Sequence, residues 1–235
     1  MDIISALHGN TYPGRGIFIG RSPNNEKAVI AYFIMGRSEN SRNRVFVSDG
    51  EGVRTKACDP SKMKDPSLVI YSAVRRINGC TVVTNGDQTD TVCDFIAEGK
   101  SFEAALRTRT FEPDAPNFTP RISGIVFPDG SYRLSILKAN DPEGKEARRI
   151  FWNYEDPSPG KGHLIHTYEH DGDPLPSFED EPREIDISSE NPEVLALEIW
   201  SALDSENKVS LYCAAIDIKT GIISGFIINK NEECA

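Results

Sequence analysis

Residues 65–86 read "DPSLVIYSAVRRINGCTVVTNG", and the reading of this stretch decides the fold. Two apolar, β-branched runs flank Asn78-Gly79, the strongest short-range hairpin signal, because both residues take up positive φ at little cost. Two antiparallel strands are therefore expected here. The first half, "SLVIYSAV", lacks clean alternation and leaves a helix open as a second option.

The same grammar recurs outward from this hairpin. "RGIFIGRS" and "KAVIAYFIMGRS" are strand-length runs separated by the turn composition "PNNE", and "NRVFVS" is a short strand ending in the turn "DGEG". "RISGIVFPDGSYRLSILKA" forms a second hairpin around Asp129-Gly130, "RRIFWNY" and "GHLIHTYEH" read as strands, and "VSLYCAAIDIKTGIISGFIIN" closes a third hairpin. Helical spacing is sparse. "TDTVCDFIAEG" places apolar residues at 92, 95 and 96 with Gly99 as terminator, "SFEAALRTR" follows the N-cap Ser101, and "NPEVLALEIWSALDS" opens on Pro192. Residues 171–187, rich in Pro and acid, read as a long surface loop. About nine mostly antiparallel strands and three helices falling in two places predict an α+β sandwich, a single domain over 1–235 without internal repeats.

Composition narrows the function. Apolar residues make up 38%, mean hydropathy is −0.40, and no apolar run nears the roughly 18 residues of a membrane span. "MDIISALHGN" carries an acid where a secretory leader carries basic residues, so a cytoplasmic protein is expected, with no membrane partner. Five cysteines without a C-x-x-C pair, and His163 and His166 on opposite faces of a strand, predict reduced thiols and no metal site. The net charge of −10 argues against nucleic acid as a partner. Within that acidic chain, residues 1–44 hold Arg15, Arg21, Lys27, Arg37, Arg42 and Arg44 against Asp2, Glu26 and Glu39, a local +3. Guanidinium forks match phosphate oxygens, so such a cluster suits a small anionic ligand. Residues 169–206, by contrast, hold thirteen acids and the single Arg183.

No nucleophile elbow, P-loop, dinucleotide fingerprint or metalloprotease helix is present. Three segments in order, "YPGRGIFIGRS", "DPSLVIYSAVRRINGCTVVTNGDQTDTV" and "NFTPRISG", resemble the archaeal-type IMP cyclohydrolase family, and the loop "NGDQTDT" at 85–91 is the most specific of them. The similarity runs from about residue 12 to 128 and fades afterwards, so the C-terminal third is expected to diverge. The resemblance implies a four-layer α/β/β/α sandwich of mainly antiparallel sheets, similar to N-terminal-nucleophile hydrolases. It also implies closure of the purine ring of a formylated aminoimidazole carboxamide ribonucleotide, giving IMP with loss of water. A homo-oligomer is expected.

That reaction is intramolecular. The protein must hold the reactive rotamer, stabilise an oxyanion and move a proton, which demands no cofactor. Two or three of Arg15, Arg21, Arg37, Arg42 and Arg44 are expected to clamp phosphate, with Arg37 close to the chemistry. Asn85 and Asp90 suit a base edge or ribose hydroxyls, or else turn and cap work, and Thr91 lies beside them. Gly86 suits positive φ or close approach of the ligand. Tyr71 offers a hydroxyl to the oxyanion or a transferred proton, or fills the core. Glu112 is the candidate acid–base, with Asp114 as alternative, and Arg121 reaches the substrate carbonyl or pairs with an acid. Two other classes stay open: a non-catalytic purine-nucleotide-binding protein on the same scaffold, and an amide-directed hydrolase, for which no exposed N-terminal nucleophile is in sight.

Overall fold

The computed structural model describes residues 1–63, 66 and 68–235. The opening hairpin forms around its turn: Asn78 and Gly79 have φ of 50° and 77°, and Ile77 pairs with Cys80 across them. Both positive values are what a two-residue turn of matching twist requires. The helical option for the preceding stretch is not taken, because strand structure begins at Ser72; Asp65 and Ser67 lie outside the described residues.

This hairpin, β5 (Ser72–Ile77) and β6 (Cys80–Thr84), sits within a seven-stranded antiparallel meander. It is preceded by β3 (Arg44–Asp49) and β4 (Gly52–Ala57) and followed by β7 (Arg121–Val126), β8 (Tyr132–Ala139) and β9 (Ala147–Tyr154), in spatial order. A second, six-stranded sheet draws on both ends of the chain. It holds β1 (Arg15–Arg21), β2 (Lys27–Met35), β10 (Lys161–His166), β11 (Arg183–Asp186), β12 (Lys208–Asp217) and β13 (Ile223–Asn229), ordered β11-β10-β1-β2-β12-β13. All neighbouring strands in both sheets are antiparallel. The strand β4 escapes the sequence reading because "GVRTKA" has little apolar character.

Side-chain alternation explains why β2 is apolar throughout. Ala28, Ile30, Tyr32 and Ile34 face the other sheet, while Val29, Ala31, Phe33 and Met35 face outward into a helical layer, so neither face meets water. That layer is α1 (Ile3–Leu7) with α5 (Pro192–Ala202), through Ile3, Leu7, Leu195 and Ile199. On the far side of the meander, α3 (Gln88–Ala97) and α4 (Phe102–Arg107) cover Val82, Ile125 and Leu137 with Val92, Phe102 and Leu106. The short helices α1 and α2 (Glu39–Arg42) go unanticipated in the sequence, being single turns held by the Asp2 cap and by a Ser38–Ser41 capping box.

Two expectations are corrected. The 171–187 stretch is no free surface loop: Leu175 and Phe178 are buried, β11 lies within it, and the 1%-exposed Lys138 donates to the Phe178 carbonyl at 2.6 Å and pairs with Glu179 at 2.8 Å. A buried lysine needs such partners, and the strap supplies them. The thiols are not all reduced either. Cys58 and Cys234 are joined in a disulfide with Cα atoms 4.9 Å apart, a pairing across 176 residues for which sequence spacing gives no cue. Cys80, Cys93 and Cys213 are free and buried. No helix among the described residues is long and apolar enough to cross a membrane.

Candidate active site

Strand parity brings charge into the layer between the sheets. Arg15 shares the inward face of β1 with Ile17 and Ile19, and Arg44 shares that of β3 with Phe46. Tyr32 points the same way from β2, and Tyr71, just before β5, also joins this core. All of these lie at one end of the sandwich, where the segment before β7 adds Glu112.

Arg15 and Glu112 are 8% and 2% exposed and stand 3.9 Å apart, Nη2 to Oε2. Burial pushes the Glu112 carboxyl above its ordinary range, with Arg15 and then Arg121 pulling it back down without cancelling the effect. Burial opposes the charge of Arg15, but Glu112 together with Tyr168, Tyr12 and Tyr71 more than restores it. The pair is therefore a fixed cation beside a carboxyl of raised proton affinity.

Arg44 is the exception to the rule that buried charges are paired. It is 1% exposed, and its Nε, Nη1 and Nη2 all lack a hydrogen-bond partner among the described residues, as does Nε of Arg15. Burial pulls the Arg44 pKa down; Tyr71 works against that, and the like charge of Arg15 adds to it. Beside these cations the Tyr32 and Tyr71 hydroxyls meet at 2.6 Å. The backbone of Tyr71 is fixed by Thr55, whose Oγ1 accepts from the Tyr71 N–H and donates to the Val69 carbonyl, both at 2.8 Å.

Glu112 is positioned by a loop that folds back on itself. Its N–H donates to the Thr119 carbonyl at 2.9 Å, and the Thr119 N–H donates to Asp114 Oδ1 at 2.7 Å. The Thr119 hydroxyl also bonds Asp114 and meets the Tyr168 hydroxyl at 2.5 Å. The carboxylate of Asp114 is thus engaged as a loop clamp, which leaves Glu112 as the carboxyl that faces the arginines.

The loop at 85–91 is placed differently from its expected role. Asn85 is fully buried and its amide is spent on the protein: it donates to the Pro120 carbonyl at 2.9 Å and accepts from the Ile122 N–H at 2.9 Å and from Gln88 at 3.0 Å. These bonds tie the end of β6 to the start of β7, behind Glu112. Gly86 does not have positive φ. A Cβ there would lie 2.5 Å from Arg121 Nη1 and 2.7 Å from Gln88 Oε1, so its missing side chain makes room for that arginine. Arg121 bonds Gln88 and Asp87, both at 2.6 Å, and its field reaches Glu112. Asp90 is 59% exposed on the outer side and pairs with Arg75 at 2.6 Å, and Thr91 accepts from Arg109 at 3.4 Å; the structure brings neither of them to Arg15 and Glu112.

The remaining arginines separate. Arg21 ends β1, about 20 Å along the strand from Arg15 at the usual rise per residue, and donates to the Asp129 carbonyl at the far hairpin. Arg42 bonds the Gly36 carbonyl and Asn207. Arg37 stays at the rim, 5.1 Å from the ring of Tyr12, and is held by Asp171 at 2.5 Å. The sequence reading missed Tyr32 and Tyr168; a hydroxyl in the middle of the apolar run "AVIAYFIM" was the available signal for the first.

The IMP cyclohydrolase-like protein family model matches residues 12–221, so most of the C-terminal third that was expected to diverge lies inside the match. The IMP cyclohydrolase of Methanosphaera stadtmanae is 30% identical over 185 residues, covering 77% of this chain and 80% of that protein. That of Methanopyrus kandleri is 31% identical over 183 residues, 72% and 89% of the two chains. The IMP cyclohydrolase of Methanothrix thermoacetophila is 29% identical over 165 residues, 68% and 76%.

Proposed function

We propose that this chain, which belongs to the IMP cyclohydrolase-like family, is itself an IMP cyclohydrolase of purine biosynthesis with its active site at Arg15, Arg44, Tyr71 and Glu112. The observation that carries the site assignment is the buried guanidinium of Arg44, whose three nitrogens lack partners among the described residues. A cation held in that way is costly unless a ligand oxygen completes it. The phosphate of the ribotide, or the oxyanion formed at its formyl carbon, is such an oxygen.

The chemistry follows from the geometry. The carboxamide nitrogen attacks the formyl carbon while the carbonyl oxygen takes up the electron pair and the Tyr71 proton, beside Arg44. Glu112, ionised at that moment, accepts the proton from the attacking nitrogen. It then returns that proton to the departing hydroxyl, and the formamide nitrogen gives its hydrogen to the Tyr71 phenolate as the ring double bond forms; both residues are regenerated and the sum is loss of one water. A carboxyl with a raised pKa is matched to both directions of transfer. Asn85, Gly86 and Arg121 serve this reading from behind, by holding the strand that leads to Glu112.

The order helix pair, sheet, sheet, helix pair supports a four-layer fold similar to N-terminal-nucleophile hydrolases, formed by the chain as one domain. Cytoplasmic location and homo-oligomeric assembly belong to the same proposal, the latter supported by the exposed Val194 and Leu197 on α5 and tested by native mass. The deciding experiment incubates purified protein with the formylated ribotide and follows IMP by absorbance. Tight IMP binding without turnover would leave a nucleotide-binding protein on this scaffold, and absence of both would overturn the proposal.

A further inference from the structure

Tyr32 lies in the middle of β2, wholly buried, with its hydroxyl 2.6 Å from that of Tyr71. Tyr71 is the one hydrogen-bond partner of that hydroxyl among the described residues. One O–H···O bond between two phenols uses one proton and leaves the other free. If Tyr71 donated, the proton of Tyr32 would stay buried without an acceptor, in a layer made of Phe46, Ile17 and Ile34. Leaving a buried donor unmade is the more costly arrangement. Donation from Tyr32 to Tyr71 avoids it and releases the Tyr71 proton toward the space beside Arg44 and Arg15.

We propose that Tyr32 is a positioning residue for ring closure, donating to the Tyr71 hydroxyl so that the proton of Tyr71 stays directed at the oxygen of the reacting formyl group. The proposal rests on the cyclohydrolase reading. Burial raises the pKa of Tyr32 well above the ordinary tyrosine value, so Tyr32 remains a donor across any working pH. Its ring cannot swing away, because Phe46 packs against it at 5.6 Å and neighbouring strands pair with β2 on both sides. Tyr32 thus acts through Tyr71 and touches no substrate itself.

The test compares wild type, Tyr32→Phe, Tyr71→Phe and the double variant in the IMP-forming assay, with melting temperature recorded for each. Tyr32→Phe keeps the ring and loses only the hydroxyl. The expected result is a kcat lower by about tenfold to a hundredfold, as mispositioning of a catalytic donor produces, with KM changed less than about threefold. Tyr71→Phe falls further, and the double variant is no slower than Tyr71→Phe alone, since Tyr32 has nothing left to position. A structural role for Tyr32 would instead lower the melting temperature and multiply the two losses, and that pattern overturns the proposal. Equal kcat in wild type and Tyr32→Phe overturns it while leaving the cyclohydrolase reading intact; a wild type that forms no IMP overturns both.

Discussion

Replacing Arg44 with Met separates what this residue does for the fold from what it does for the ligand. In the free protein the guanidinium is desolvated, sits near Arg15 and has none of its nitrogens paired among the described residues. Each unmade buried hydrogen bond costs about 1–3 kcal/mol, and an unpaired buried cation is more costly than an apolar side chain of similar shape. Methionine keeps most of the aliphatic stem, so the cavity left behind is small. Arg44→Met is therefore expected to stabilise the free protein by about 1–3 kcal/mol. For a chain of this size that raises the melting temperature by roughly 2–4 °C per kcal/mol. Ligand binding moves the other way. Loss of a charge-assisted hydrogen bond weakens IMP binding by about 1.5–3 kcal/mol, or roughly tenfold to 150-fold in Kd. Scanning calorimetry and IMP titration at fixed ionic strength measure both halves. A destabilised Arg44→Met, or one that binds IMP like wild type, refutes the reasoning: the first would show the guanidinium to be satisfied within the fold, the second that it faces no ligand.

Other substitutions sort the remaining candidates. Asn85→Ala strands the Pro120 carbonyl, the Ile122 N–H and Gln88, and is expected to cost about 2–4 kcal/mol of stability, visible as a clear fall in urea midpoint. Gly86→Ala drives a methyl against Arg121 and should lower the melting temperature by the equivalent of about 1–3 kcal/mol; an unshifted melting temperature contradicts the close approach seen here. Asp90→Ala removes an exposed pair worth less than about 1 kcal/mol and should leave kcat unchanged, so a large kcat loss would place the ligand on the outer side of α3. His166 is buried and donates to the Tyr168 carbonyl, and burial lowers its pKa to about 4 from 6.5. The unfolded chain therefore takes up the proton first on acidification. The stability tied to neutral His166 is complete above pH 6.5 and drains away toward pH 4, by about 3 kcal/mol at 1.36 kcal/mol per pKa unit. Relative to wild type, His166→Asn should flatten denaturation midpoints over that window; parallel pH curves would show that His166 titrates normally.

Most strands were legible because apolar, β-branched runs bounded by turn chemistry have few alternatives, and Asn78-Gly79 fixed one register by itself. What escaped was local structure with little apolar character, namely β4 and α2, the single turn α1, too short to show a helical period, and contacts set by distant parts of the chain. Cys58–Cys234 and the anchoring of the 171–187 strap are of the second kind. The site shows the same division. Residue types pointed to Arg15, Arg44, Tyr71 and Glu112, yet only strand parity and the stacking of two sheets decide that Arg44 converges with Arg15 while Arg21 leaves for the far end. At the loop 85–91, the most distinctive part of the sequence, the residues left ligand contact and structural work both open; the fit of Asn85, Gly86 and Gln88 around Arg121 and the start of β7 is visible only in three dimensions.

The order of the strands also has a consequence for how the chain matures on the ribosome. The seven-stranded meander is contiguous in sequence, from Arg44 to Tyr154, so all of its pairings are with neighbours already synthesised. In the other sheet β1 and β2 emerge first but lie between β10 and β12, and must wait for them. Synthesis is vectorial and domains acquire structure as their residues appear. Tyr71, Glu112 and Arg44 can therefore be set on their scaffold early, while Arg15 is locked opposite them only after β12 leaves the exit tunnel. Ribosome-bound chains halted once Tyr154 has cleared the exit tunnel should protect the meander from protease yet leave residues 1–40 open to cleavage.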